Sequence, residues 1–286
     1  MSKASNRPPK LESRVGESRP APPPTLEARV DRAKIAGPAA SGPGPTEFRR
    51  NIDRLAVGDR GALRELAPIA GLTAVDAWEE VARAFGATPE VAAIDAGRTV
   101  AAVRAAAARV RVVASTPGAR VAVATANPAS LLTVHLAFAR LARARGAEVV
   151  DLVDFGPIRA DGRTPRWLRW VGGVSVVSDA RSLCDTRDGE AAREWMFAIP
   201  RPSLVVADGP FAEVAWESGV EVVALTGLDR PGLAIAAARG GRGTIVPMHT
   251  DRPARSYAVI EELIAAVEGE PEADVPPSPS SSDTEL

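Results

Sequence analysis

Three side chains in the second half of the chain are of a kind that moves protons: Asp208, Asp229 and His249. Each follows a short apolar run and opens a polar turn. The runs are Leu204-Val-Val-Ala-Asp208, Val222-Val-Ala-Leu-Thr-Gly-Leu-Asp229 and Thr244-Ile-Val-Pro-Met-His249. A carboxylate at a strand end can act as general acid or base, as nucleophile or as metal ligand. It can equally do no more than cap the helix that follows. An imidazole beside Asp251 can exchange a proton near neutral pH, or it can be an ordinary loop histidine. Binding groups accompany these three. In Val121-Ala-Val-Ala-Thr-Ala-Asn-Pro128, small residues let the backbone approach a ligand closely. The free N–H groups of the following helix start suit a phosphate or carboxylate. Thr125, Asn127 and Ser130 are the substrate-binding candidates there, with Asn127 as a plain helix cap the alternative. Thr226 and the planar fork of Arg230 are the candidates beside Asp229.

Other chemistry is less well supported by spacing. His135 shares a helical face with Leu131 and Phe138 and reads as a packed histidine. Counted along its helix it lies ~12 Å from the anion-binding end. The charged turn Asp185-Thr-Arg-Asp-Gly-Glu190 could hold Mg²⁺ with a substrate phosphate, or simply be solvated. Arg159, Arg163, Arg166 and Arg169 alternate with Trp167 and Trp170, a pattern that can stack nucleic acid but here reads as packing. Neither G-x-G-x-x-G nor G-x-x-x-x-G-K-[ST] occurs, so the usual dinucleotide and P-loop signals are missing. Cys184 is the only cysteine, and His135 and His249 are the only histidines. That excludes an intrachain disulfide and a multi-Cys metal site. The cofactor stays unknown, with a divalent metal such as Mg²⁺ left open. The formal net charge of -1 gives no general pull on nucleic acid. No apolar run approaches the ~20 residues of a membrane span, and no signal-peptide core is visible. The expected setting is cytoplasmic, with no nucleic acid or membrane partner and oligomerisation left open.

These groups need elements to position them. The chain has 286 residues, 45% of them apolar, enough for one large domain or two modest ones. Residues 1–28 and 268–286 are Pro-, Ser- and charge-rich and read as disordered tails. Residues 29–115 carry helical periodicity. Phe48, Ile52 and Leu55 share one face, Thr73 with Asp76 makes a capping box ahead of Trp78, Val81 and Phe85, and Gly86 stops that helix. Thr88-Pro89 reads as the start of a longer Ala-rich helix toward Val113. Residues 116–267 alternate short apolar runs with helical ones. Strands are expected at 121–125 and 148–153, a hairpin over 174–186, a helix over 190–197, and three further strand-turn-helix units. The fold class is therefore α/β, a Rossmann-like, mainly parallel sheet with helices on both faces, preceded by a helical region. In such a sheet the strand-to-helix turns share one edge, where small ligands bind.

The order of several short segments also resembles a family of actinobacterial phosphatases, from Ile35 to about Glu262. The resemblance runs through Ile35-Ala-Gly37, Gly58-Asp59, Ala124-Thr-x-x-Pro-x-x-Leu-Leu-x-x-His135, Thr186-x-x-Gly-Glu190, Val205-Val-Ala-Asp208, Pro231-x-Leu233 and Val246-Pro247. It implies a phosphatase acting on a small phosphorylated metabolite at the carboxyl edge of the sheet. The chain departs from the family pattern at polar positions. That pattern has His-Thr-His where this chain has Asp185-Thr-Arg187, a His at Gly209, Asn-Asp-Pro at Asp229-Arg-Pro231, and two Asp residues at His249-Thr250. Two alternatives follow. One is a non-catalytic phospho-ligand-binding or regulatory protein on the same fold; the other is a sugar-phosphate isomerase or lyase.

Overall fold

Helices come first and the sheet second in the computed structural model, which describes residues 23–269 except 39, 41, 89, 153–154, 159–164, 188 and 241. The two tails expected from composition fall mostly outside the described residues, as do Arg159, Arg163 and Asp188. Among the described residues five helices precede the sheet: α1 (Leu26–Arg32), α2 (Pro45–Ala56), α3 (Arg60–Leu63), α4 (Ala74–Phe85) and α5 (Ala96–Ala114). Helix α2 starts on Pro45, whose missing N–H is harmless in a first turn, and it buries Phe48, Ile52 and Leu55. The box at the start of α4 forms as expected, with Thr73 and Asp76 each satisfying the other's backbone N–H, and Gly86 closes the helix at φ +73°. Helix α5 begins later than Thr88-Pro89 suggested. The Asp95 side chain accepts the Arg98 N–H at 2.8 Å and caps the helix, so the first turn forms at Ala96.

The strands are β1 (Arg120–Ala124), β2 (Glu148–Val149), β3 (Phe155–Ile158), β4 (Arg166–Val171), β5 (Val174–Ser178), β6 (Leu183–Cys184), β7 (Leu204–Asp208), β8 (Val222–Thr226) and β9 (Thr244–Pro247). Between and after them lie α6 (Pro128–Ala144), α7 (Gly189–Ala198), α8 (Gly209–Glu217), α9 (Gly232–Gly240) and α10 (Ala258–Gly269), with a 3₁₀ turn at Ala254–Tyr257. The main path is β3-β4-β5-β1-β7-β8-β9. Strands β5, β1, β7, β8 and β9 run parallel, while β4 and β3 continue the sheet antiparallel beyond β5. Two short strands lie off this path: β2 joins β1 in parallel, and β6 forms the expected hairpin with β5. The segment of alternating Arg and Trp is strand β4, which pairs with β5 over five residue pairs. Trp170 packs against the core.

Strands β1, β7 and β8 are buried almost throughout, which is why they read as unbroken apolar runs rather than alternating ones. From β1 the chain crosses over one way, to β5; from β7 it crosses the other way, to β8 and β9. Right-handed crossovers in opposite directions put α6 on one face and α8 and α9 on the other. Helices α5 and α10 join α6, while α7 packs on α8 and α4 on α9. The reversal lies between β1 and β7, and a crevice opens beyond their carboxyl ends. No helix among the described residues is long and apolar enough to cross a membrane.

Candidate functional site

The crevice is built from the turn after β1. Thr125 is buried, and its hydroxyl accepts the Asn127 N–H at 3.1 Å. Asn127 is not a side-chain cap for α6. Its Nδ2 instead donates to Asp208 Oδ2 at 2.6 Å, across from β1 to β7. Asp208 Oδ1 accepts the Ala126 N–H at 3.1 Å. Asp208 is 0% exposed, so it lies beneath the turn and holds its shape. Ser130 is half-buried one turn into α6 and stands outside the cleft lining.

Below Asp208 lies His135, also 0% exposed, with Nε2 3.5 Å from Asp208 Oδ1. Helix α6 runs back over β1 and contacts β7, which brings a residue remote from the helix start onto the floor of the crevice. The distance counted along the helix did not foresee this. Nδ1 sits 3.0 Å from the Leu131 carbonyl, which only accepts, so Nδ1 carries a hydrogen. A neutral ring then turns the bare lone pair of Nε2 toward a carboxylate. Nε2 makes no hydrogen bond among the described residues. Burial lowers the His135 pKa, and the nearby Asp208 charge and the Leu131 carbonyl oppose that shift.

Above this floor is a cleft of about 600 Å³. Five of the sequence-derived candidates line it: Asn127, Thr226, Asp229, Arg230 and His249. Thr125, Ser130 and Asp208 do not. The turn after β8 is closed by Thr226, whose hydroxyl donates to the Arg230 carbonyl at 2.9 Å. Arg230 is held by Glu213 at 3.0 Å, and both side chains are largely buried. Burial raises the Glu213 pKa, with Arg230 pulling it down. Asp229 is exposed and does not cap α9, which starts at Gly232.

His249 follows β9. Its N–H donates to the Ile35 carbonyl at 2.8 Å, and its carbonyl accepts the Tyr257 hydroxyl at 2.7 Å. Thr99 of α5 donates to the Pro247 carbonyl at 2.6 Å, pinning the end of β9 to the helices that precede the sheet. The ring is 6% exposed, and Nε2 is buried with no hydrogen-bond partner. Burial and Arg252 lower its pKa, while Asp251 and Asp229 raise it less, so the imidazole is neutral at pH 7.

Four arginines outside the binding candidates also line the cleft: Arg50 and Arg54 of α2, Arg64 after α3, and Arg187 after β6. A signal for two of them was present. Glu47, Arg50, Asn51 and Arg54 follow i, i+3, i+4, i+7 spacing and make a polar stripe opposite Phe48, Ile52 and Leu55. Arg64 and Arg187 carry no such pattern. Among the described residues no group of three or more His, Cys, Asp or Glu side chains converges to hold a metal ion. The cationic groups that line the cleft are arginines.

The family model described as Phosphatase matches residues 25–267. A protein of Streptomyces coelicolor named as a phosphatase is 30% identical over 236 residues, which span 76% of this chain and 84% of that protein. No solved structure matches the chain. The family-model match covers the helices before the sheet as well as the sheet itself. On these two matches the chain belongs to the phosphatase family.

Proposed function

We propose that the chain hydrolyses the phosphate monoester of a small metabolite in the cleft at the carboxyl edge of the sheet. The observation that carries this reading is the meeting of Asn127, Arg187, Arg230 and a neutral, buried His249 around one cavity. About 600 Å³ suits a small-molecule ligand. The phosphoryl group rests on the two guanidinium groups and the first turn of α6, where charge-assisted donors favour it. His249 Nε2 takes a proton from the attacking water as the new P–O bond forms. The ester P–O bond breaks, and the leaving oxygen takes a proton from solvent. Asp229 and Asp251 stand by to stabilise the imidazolium that results. Asp208 acts through Asn127, as the residue that orients its amide.

The test is phosphate release from a panel of phosphorylated metabolites, with and without Mg²⁺. His249→Ala should lower kcat by roughly 10²–10⁴-fold, the usual worth of a general base. The lowered His249 pKa sets the pH profile. A base works while it is neutral, and the lowered pKa keeps His249 neutral to more acid pH than an ordinary histidine. Activity should thus hold level through neutral pH and fall only below the ordinary histidine range, and His249→Ala should lose that acid limb. Unchanged kcat in His249→Ala would remove His249 from the chemistry.

A second reading, binding without turnover, is favoured by the number of arginines that line the cleft. Arginines grip substrate and product phosphate alike, and uniform binding does not speed a reaction. Thermal stabilisation by phosphorylated ligands with no phosphate released would select it.

A further inference from the structure

The cations of the cleft come from two parts of the fold. Arg187 and Arg230 belong to turns at the sheet edge, whereas Arg50, Arg54 and Arg64 belong to the helices before it. Two are already neutralised: Arg230 by Glu213, and Arg54 by Asp59 at 2.7 Å. Arg50, Arg64 and Arg187 form no ion pair or side-chain hydrogen bond among the described residues. One unpaired arginine thus stands on the sheet side and two on the helix side.

Arg64 adds an independent observation. Its backbone has φ +62° and ψ -114°, a conformation that glycine adopts freely and arginine does not. The flanks hold it there. Arg64 N–H donates to the Arg60 carbonyl at 2.9 Å, Glu65 N–H reaches Glu213 Oε2 at 3.4 Å, and the Glu65 carboxylate pairs with Arg193. The guanidinium is exposed and contributes nothing to the fold that would offset the strained backbone. Strain kept at an unpartnered cation beside a cavity points to a ligand as the missing partner.

We infer that the substrate carries two anionic groups, a phosphate that reacts at the sheet edge and a second phosphate or carboxylate held by Arg64 and Arg50. This rests on the phosphatase reading above. Glu47, Asp229 and Asp251 line the same cleft and suit hydroxyl groups between the two anions.

The experiment uses matched pairs on the full chain. Fructose 1,6-bisphosphate is compared with fructose 6-phosphate, and 3-phosphoglycerate with glycerol 3-phosphate; the first pair adds a phosphate, the second a carboxylate. The two-anion member of at least one pair should have the higher kcat/KM by roughly tenfold or more, the worth of a charge-assisted contact. Arg64→Gly should bring that ratio toward one while Tm stays level or rises, because glycine relieves the backbone. Arg50→Ala should lower the same ratio without relying on any backbone effect. Thermal shifts with the same four compounds give a second readout that needs no turnover. If no compound releases phosphate, the hydrolase reading fails while the shifts still decide the inference: a larger shift with the two-anion member, lost in Arg64→Gly, supports it. Equal ratios and equal shifts in the wild type, no shift with any compound, or ratios unmoved by Arg64→Gly would overturn it.

Discussion

At the scale of single residues, Asp208 is set apart by what surrounds it. A strand-end carboxylate invites a chemical role, yet this one is fully buried and already accepts from Ala126 and Asn127. His135 Nε2 lies 3.5 Å from it and has no hydrogen-bond partner of its own. Asp208→Ala leaves the Ala126 N–H and the Asn127 amide without their acceptor. Losing the acceptor of a buried donor costs about 1–3 kcal/mol. Urea unfolding should show a loss of that order, and a loss under ~1 kcal/mol would mean that the contacts around Asp208 are not coupled as described. The sequence could name Asp208, since a carboxylate after an apolar run is visible by eye. Whether it faces a cleft or lies under a turn is decided by how β1 and β7 sit side by side.

At the scale of elements, the strand-to-helix turns line the cleft, and their small residues have distinct reasons. Gly209 opens α8 at φ +53°, and a Cβ there would stand 3.0 Å from the Ala126 Cβ. Gly209→Ala therefore meets both a left-handed backbone and a tight neighbour, at a cost of about 1–2 kcal/mol. A fall in the urea midpoint together with a rise in KM for phosphorylated substrate is expected, because Ala126 and Asn127 must shift. No change in either would show that the two turns move independently. The helices of this region were legible where local chemistry fixes them. The Thr73–Asp76 box and the Gly86 stop are such cases, since every partner lies within one turn. The start of α5 was misjudged because a proline favours a first turn without enforcing one, and the Asp95 cap proved stronger. The length of β2 depends on partners far away in sequence, and it pairs with β1 over only two residues.

At the scale of the whole molecule, a net charge of -1 hides a local concentration of arginine. Composition averages over the surface, while folding brings α2, α3 and the sheet edge to one cavity. The attraction for anions is consequently local and salt-sensitive, because Arg50, Arg64 and Arg187 are exposed. Raising ionic strength from about 0.05 M to 0.5 M shortens the Debye length from ~14 Å to ~4 Å. KM for a phosphorylated substrate should rise several-fold over that range, with kcat much less affected. A KM indifferent to salt would mean that these arginines do not face the ligand.

The sequence by itself determined the α/β class, the parallel core strands and the edge on which their turns lie, because apolar periodicity and caps act over a few residues. It also determined the family, through segments whose order survives in the chain. Only the tertiary structure decided which polar groups share a cavity. It put Asp208 on His135 below the floor, left Thr125 and Ser130 outside, and brought in Arg50, Arg54, Arg64 and Arg187. Those relations join residues far apart along the chain, and they exist only once the helices before β1 are packed against the strands after it.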